Sequence, residues 1–262
     1  MTIENPEIVN GLQTSVEIYN YGKNVQAENE TRKILIRVMV PQEEESRDRI
    51  IKATNSQTTV SASSLRATDK IQRDIELHLR QSGLYYDRRK NYYKNEGKPR
   101  RKIISIPYLA QAVMSIVLRQ PDQARARPSS LLKRDDDYRR IFNSEYPIDV
   151  YYVCALSMRT VESRLKALTE HVAIQDRNNL RFYVAMHAVS GVDSPKPKPS
   201  EIAEFDFSQL SEAVVRDSLE YVWERYLALG GNDQVAKGPH LLKAVLENSD
   251  PMSLDHIENI AE

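Results

Sequence analysis

The spacing of apolar residues divides the chain into a mixed first half and a helical second half. Residues 33–40 pack Ile, Leu, Val and Met densely before Pro41 and predict a strand that the proline ends. A shorter run over 7–9 predicts another strand, which Asn10-Gly11 turns into a helix with Gln13 and Thr14 in its opening turn. Residues 42–54 predict a helix with Glu43, Glu44 and Glu45 early and Arg47, Arg49 and Lys52 late, the order the helix dipole favours. The next helix runs from Ser63, with Leu65, Ile71, Ile75 and Leu79 at helical spacing, and Gly83 stops it.

Residues 85–93 and 101–106 flank the turn-forming Asn95-Glu96-Gly97-Lys98-Pro99, which predicts a β-hairpin or a pair of extended arms. Pro107 then starts a strongly apolar, buried helix over 108–118. Beyond Pro121 every periodic segment is helical: 134–142, 148–168, 176–189, 207–229 and 233–246. The predicted fold class is therefore α+β, with an α/β-like N-terminal part carrying a small sheet (1–120) followed by an all-α part. Within the latter, 121–193 is one helical part, 194–200 a stiff Pro/Lys linker and 201–262 an acidic helical part. A proline-rich surface loop inside one helical domain is the alternative to a linker.

Composition narrows the setting. No apolar run approaches the ~20 residues that cross a bilayer, and the polar, acidic start is not a signal peptide, so no membrane partner is expected. Cys154 is the single cysteine, which excludes an internal disulfide and points to a cytoplasmic protein. The net charge of zero hides a separation: 84–102 carries a net +6 and 201–262 a net −9. Such asymmetry suits an anionic partner for the basic segment or charge pairing between the two.

The block at 85–94 interleaves rings and cations, as a single-stranded or flexible nucleic acid requires: stacking platforms beside phosphate partners. Arg88, Arg89, Lys90, Arg100, Arg101 and Lys102 are expected to neutralise phosphates of DNA or RNA, and Tyr85 and Tyr92 to stack on bases. A half-buried strand with solvated bases is the plainer reading of the same residues. Around the Asn-Gly turn, Asn10, Gly11, Gln13 and Thr14 could present amides, a hydroxyl and free helix N–H groups to a phosphate or nucleotide, with Asn55 and Gln57 completing the pocket. Equally, these side chains could cap helices and fix a turn.

Other candidates carry less. Asp135, Asp136 and Asp137 point in different directions on a helix and read as N-terminal acids, and the five histidines show no zinc spacing, so no metal site is assigned. Neither a divalent metal nor a nucleotide cofactor is supported by a specific motif. Cys154 and Ser157 fall in an apolar helix and read as core residues.

Taken in order, the Ile8-Val9-Asn10-Gly11-Leu12-Gln13-Thr14 segment, the strand at 34–40, the helix into Asn55-Ser56-Gln57, the helix from Ser63 and the Gly83-Leu84-Tyr85-Tyr86-Asp87-Arg88-Arg89 run resemble the AIPR family, named for abortive infection and phage resistance in bacteria. The glycine turn also resembles, distantly, the phosphate-holding turn of the ParB-type fold, with Leu12 inserted and no arginine following. The resemblance implies a role in anti-phage defence. It further implies that a longer region normally precedes this signature, so the expectation is the C-terminal portion of a longer protein. Two other functions stay open: a nuclease or nucleotide-dependent effector enzyme whose site is shared with that missing N-terminal region, and a protein-interaction module binding another defence protein.

Overall fold

A computed structural model of the 262-residue chain describes residues 8, 11–24, 31–40, 63, 66–127, 131–168, 172–190 and 196–247. The chain divides into two compact units between Ser61 and Ala62.

In the first unit Gly11 takes φ +78 and opens helix α1 (Leu12–Asn24), where the Ser15 N–H donates to the Gly11 carbonyl at 2.9 Å. Residues 31–40 differ from expectation. They pair with no strand among the described residues, and Leu35 is 98% and Val40 86% exposed. A strand exists through its hydrogen-bonded neighbour, and apolar density alone does not supply one. The strand expected at 7–9, apart from Ile8, and the helix at 42–54 lie outside the described residues.

In the second unit, helix α2 (Lys70–Gln81) buries Ile75 and Leu79 completely. Its end is set by Gly83 at φ +78: the Gly83 N–H reaches the Arg80 carbonyl at 3.1 Å, and the Leu84 N–H reaches that of Leu79 at 2.8 Å. This reversal feeds β1 (Tyr85–Asp87), which pairs with β2 (Ile103–Ser105) in register Tyr85↔Ile103 and Asp87↔Ser105.

The pairing is parallel, so the expected hairpin is corrected to a crossover. Asp87 supplies the physical reason. Its carboxylate accepts the N–H groups of Asn91 (2.7 Å) and Tyr93 (3.3 Å), pulling the chain out of the strand and into a short helix, α3 (Tyr92–Asn95). Asn91 takes φ 66, a conformation that asparagine tolerates. Gly97 at φ +74 ends α3 as Gly83 ends α2, with the Lys98 N–H on the Tyr93 carbonyl at 3.0 Å. A 3₁₀ turn (Arg100–Lys102) leads into β2.

Ser105 closes β2 and opens α4 (Ile106–Ile116), accepting the Tyr108 N–H at 3.3 Å. α4 is apolar nearly all round and forms the centre of the unit. Around it pack α5 (Pro121–Ala126), α7 (Asp149–Ala167) and α8 (Ile174–Ser190), with α6 (Asp135–Ile141) at one side. Pro199 opens α9 (Pro199–Ala203), which buries Ile202 and packs on α7, so the second half of the proline-rich stretch is anchored. After a 3₁₀ turn (Phe207–Gln209), Ser211 caps α10 (Glu212–Ala228), which lies along α8. The helix expected over 233–246 is two, α11 (Asp233–Lys237) and α12 (Pro239–Leu246), because Pro239 cannot continue a helix.

The architecture is thus α+β: a two-stranded parallel sheet followed by a helical C-terminal part. Its large buried tyrosines all find partners, as with Tyr183 on the Ala236 carbonyl (3.1 Å) and Tyr151 on that of Asn143 (3.0 Å). Between α2, β1 and α6 runs a buried relay in which the Tyr86 hydroxyl donates to Gln72 Oε1 at 2.5 Å and Gln72 Nε2 donates to the Tyr138 hydroxyl at 3.0 Å. It fixes the sheet edge against α2, where the candidate site lies.

Candidate functional site

Helix α2 has two faces. Ile71, Gln72, Ile75 and Leu79 turn inward, so Arg73, Leu77 and Arg80, in the opposite phase, face out. The crossover after β1 folds over that outer face. Together they form a cleft of about 310 Å³ lined by Arg73, Glu76, Leu77 and Arg80 from α2 and by Arg88, Arg89, Tyr92 and Tyr93 from the crossover.

The four guanidiniums are not equivalent. Arg88 is mostly buried: its Nη2 and Nε lie 2.5 and 2.7 Å from Glu76 Oε2, and its Nη1 donates to the Ala67 carbonyl at 2.6 Å. Glu76 uses its other oxygen to accept the Tyr93 hydroxyl at 2.9 Å. Burial, then this hydrogen bond, pushes the Tyr93 hydroxyl up to about 12. The Arg88–Glu76–Tyr93 triad is therefore internally satisfied and holds the crossover to α2. In contrast, Arg73, Arg80 and Arg89 are exposed, and no ion pair among the described residues engages them. Tyr92 stands 40% exposed beside them, its ring 5.0 Å from that of Tyr93. The hydrogen bond to Glu96 is the main cause that raises its hydroxyl above the ordinary range.

Parallel pairing also sets where the two basic runs sit. Residues 88–90 leave the far end of β1 while 100–102 enter the near end of β2, so the runs lie at opposite ends of the sheet, roughly 10 Å apart along the strands. At the near end Arg100, Arg101 and Lys102 are all exposed, and Lys98 Nζ lies 5.3 Å from the centre of the Tyr85 ring, which packs on Tyr93 at 5.2 Å. Of the residues expected from sequence, Arg88, Arg89 and Tyr92 come together in the cleft; Lys90 and the 100–102 run stand outside its lining. Arg73 and Arg80 were not anticipated. Their signal was available as a seven-residue spacing in antiphase to Ile71, Ile75 and Leu79.

The second expected constellation belongs to the first unit. Gly11 and Thr14 lie at the start of α1, with Thr14 exposed and Gln13 in the helix, whereas Asn10, Asn55 and Gln57 lie outside the described residues.

Elsewhere the titratable groups serve the fold. Asp135 pairs with Arg66, which also lies 4.2 Å above the Tyr138 ring, and this contact holds the Asp135 carboxyl below its usual range. Arg125 reaches Asp233 at 2.6 Å and Asn179 at 3.0 Å, so one base of the 119–127 region is matched to the acidic segment. No ion pair among the described residues joins the bases of 88–102 to acids of 201–247. Cys154 is wholly buried and its thiol is pushed up by that burial. Among the described residues, no three His, Cys, Asp or Glu side chains converge as a metal site would require, and no helix is long and apolar enough to cross a membrane.

A family model described as AIPR protein matches residues 1–225. No curated protein and no solved structure matches the chain.

Proposed function

The chain belongs to the AIPR family, associated with abortive infection and phage resistance, and on that premise we propose that it acts in anti-phage defence by binding nucleic acid through the basic surface of α2 and the crossover. One observation carries this reading. Arg73, Arg80, Arg89, Lys90, Arg100, Arg101 and Lys102 are exposed without an ion-pair partner among the described residues, while Arg88 and Arg125 are matched to carboxylates. Unmatched cations at both ends of a short sheet, with tyrosine rings between, are suited to a polyanion carrying aromatic bases. Mutual repulsion among them is relieved when phosphates arrive and counterions leave.

The test is a salt titration of binding to labelled DNA and RNA, with the Arg100→Glu/Arg101→Glu variant beside the parent chain. The parent is expected to bind with affinity that falls as salt rises. The variant should bind more weakly with a shallower slope, by about 0.7 to 0.9 for each phosphate that it no longer neutralises. A folded parent chain without affinity, or a variant with unchanged affinity and slope, would refute the proposal.

A further inference from the structure

We infer that the cleft between α2 and the crossover is the seat of a single unpaired nucleotide, making single-stranded nucleic acid the substrate class of this surface; the inference rests on the nucleic-acid reading above. The cleft's size comes first. At about 310 Å³ it falls at the small end of ligand pockets, roughly 300–1,000 Å³, and suits one nucleotide unit. A duplex keeps its bases stacked inside and presents a continuous phosphate ridge, which a recess of this size cannot take in.

The lining chemistry makes the same choice. An inorganic anion would be satisfied by guanidiniums alone, yet between Arg73 and Arg80 the helix presents Leu77, 61% exposed, and Tyr92 faces the same recess. An exposed leucine and an exposed ring set among cations make a platform for a base and sugar flanked by phosphates. Arg73 and Arg80 are two helical turns apart, about 10 Å along the axis, so they stand at opposite ends of that platform. Arg89 lines the same recess from the crossover. The platform is also held in place: Tyr92 packs edgewise on Tyr93, and Tyr93 is bonded to Glu76. Such preorganisation lowers the ordering cost of stacking.

The experiment compares binding of short labelled oligo(dT), oligo(U) and a blunt duplex of equal length by the full chain and its Arg80→Gln, Tyr92→Ala and Tyr92→Phe variants, each checked for native circular dichroism. The single strands should bind more tightly than the duplex. Arg80→Gln and Tyr92→Ala should each weaken them by about tenfold, while Tyr92→Phe, which keeps the ring, retains the parent affinity. The oligo(dT) and oligo(U) arms separate DNA from RNA as the source of the strand, and tight binding of either satisfies the inference. If the duplex binds as tightly as the single strands, or if Arg80→Gln and Tyr92→Ala bind like the parent while Arg100→Glu/Arg101→Glu is impaired, the cleft inference fails and the broader nucleic-acid reading stands. If the folded chain binds none of the three probes, both fail together.

Discussion

Glu76 shows how one carboxylate divides a basic cluster into working and structural charges. It accepts from Arg88 and from Tyr93 at once, so the Arg88 charge is matched within the protein while Arg73, Arg80 and Arg89 remain available. Replacing it with glutamine removes the only carboxylate of the cleft lining and releases Arg88 as a fourth cation. Both changes act in one direction on an anionic ligand. The variant Glu76→Gln should therefore bind single-stranded oligonucleotide more tightly than the parent, by roughly fivefold to tenfold, with a steeper salt dependence. It should also lose about 1–2 kcal/mol of stability, because an amide cannot satisfy a guanidinium and a hydroxyl as a carboxylate does. Chemical denaturation beside the binding titration measures both. Weaker binding with unchanged stability would mean that the triad is not the strut described here.

At the scale of elements, the crossover depends on two glycines used as helix stops. Gly97 has no heavy atom within 4 Å of where a Cβ would stand, so Gly97→Ala creates no clash and its effect isolates the φ of +74. The variant should cost about 1 kcal/mol and lower Tm by roughly 2–4 °C. A Tm equal to the parent's would show that the turn does not hold this conformation in solution. Gly97 is also where the sequence was most misleading. Its neighbours form a run that turn chemistry alone reads as a hairpin, and the deciding interaction, Asp87 accepting from Asn91 and Tyr93, is a side-chain capture that strand periodicity does not register. The helices were legible because burial imposes their period: α4, α6, α7 and α8 fall where the apolar spacing put them, to within about two residues at each end, while α10 begins at Glu212 because a separate 3₁₀ turn takes Phe207–Gln209. Half the cleft was legible too, since the Arg/Tyr block stands out in composition. The other half was legible only in part: the spacing of Arg73 and Arg80 puts them on the outer face of α2, but that the crossover folds over this face resides in tertiary packing.

For the whole second unit, the tyrosines make a prediction about alkali. Burial raises the hydroxyls of Tyr86, Tyr108, Tyr138, Tyr151 and Tyr183 well above the ordinary value near 10, and Tyr93 and Tyr226 are pushed up to about 12, burial again being the first cause. In the unfolded chain the same groups lose their protons near 10. Above that pH the native state binds more protons than the unfolded state, so stability falls as pH rises. The contribution of each tyrosine is fully present below pH 10 and is lost as pH climbs through its native value, at about 1.4 kcal/mol per pH unit while the two states differ. Seven such residues acting together should make the loss steep between pH 10 and 12, with tyrosinate absorbance and loss of helical circular dichroism appearing in one cooperative transition. If instead all tyrosinate absorbance develops near pH 10 while the helical signal is intact, the hydroxyl partners described for Tyr86, Tyr151 and Tyr183 do not exist in solution. The packing that positions α2 and the cleft would then have to be redrawn, because the Tyr86–Gln72–Tyr138 relay is what locks that helix to the sheet.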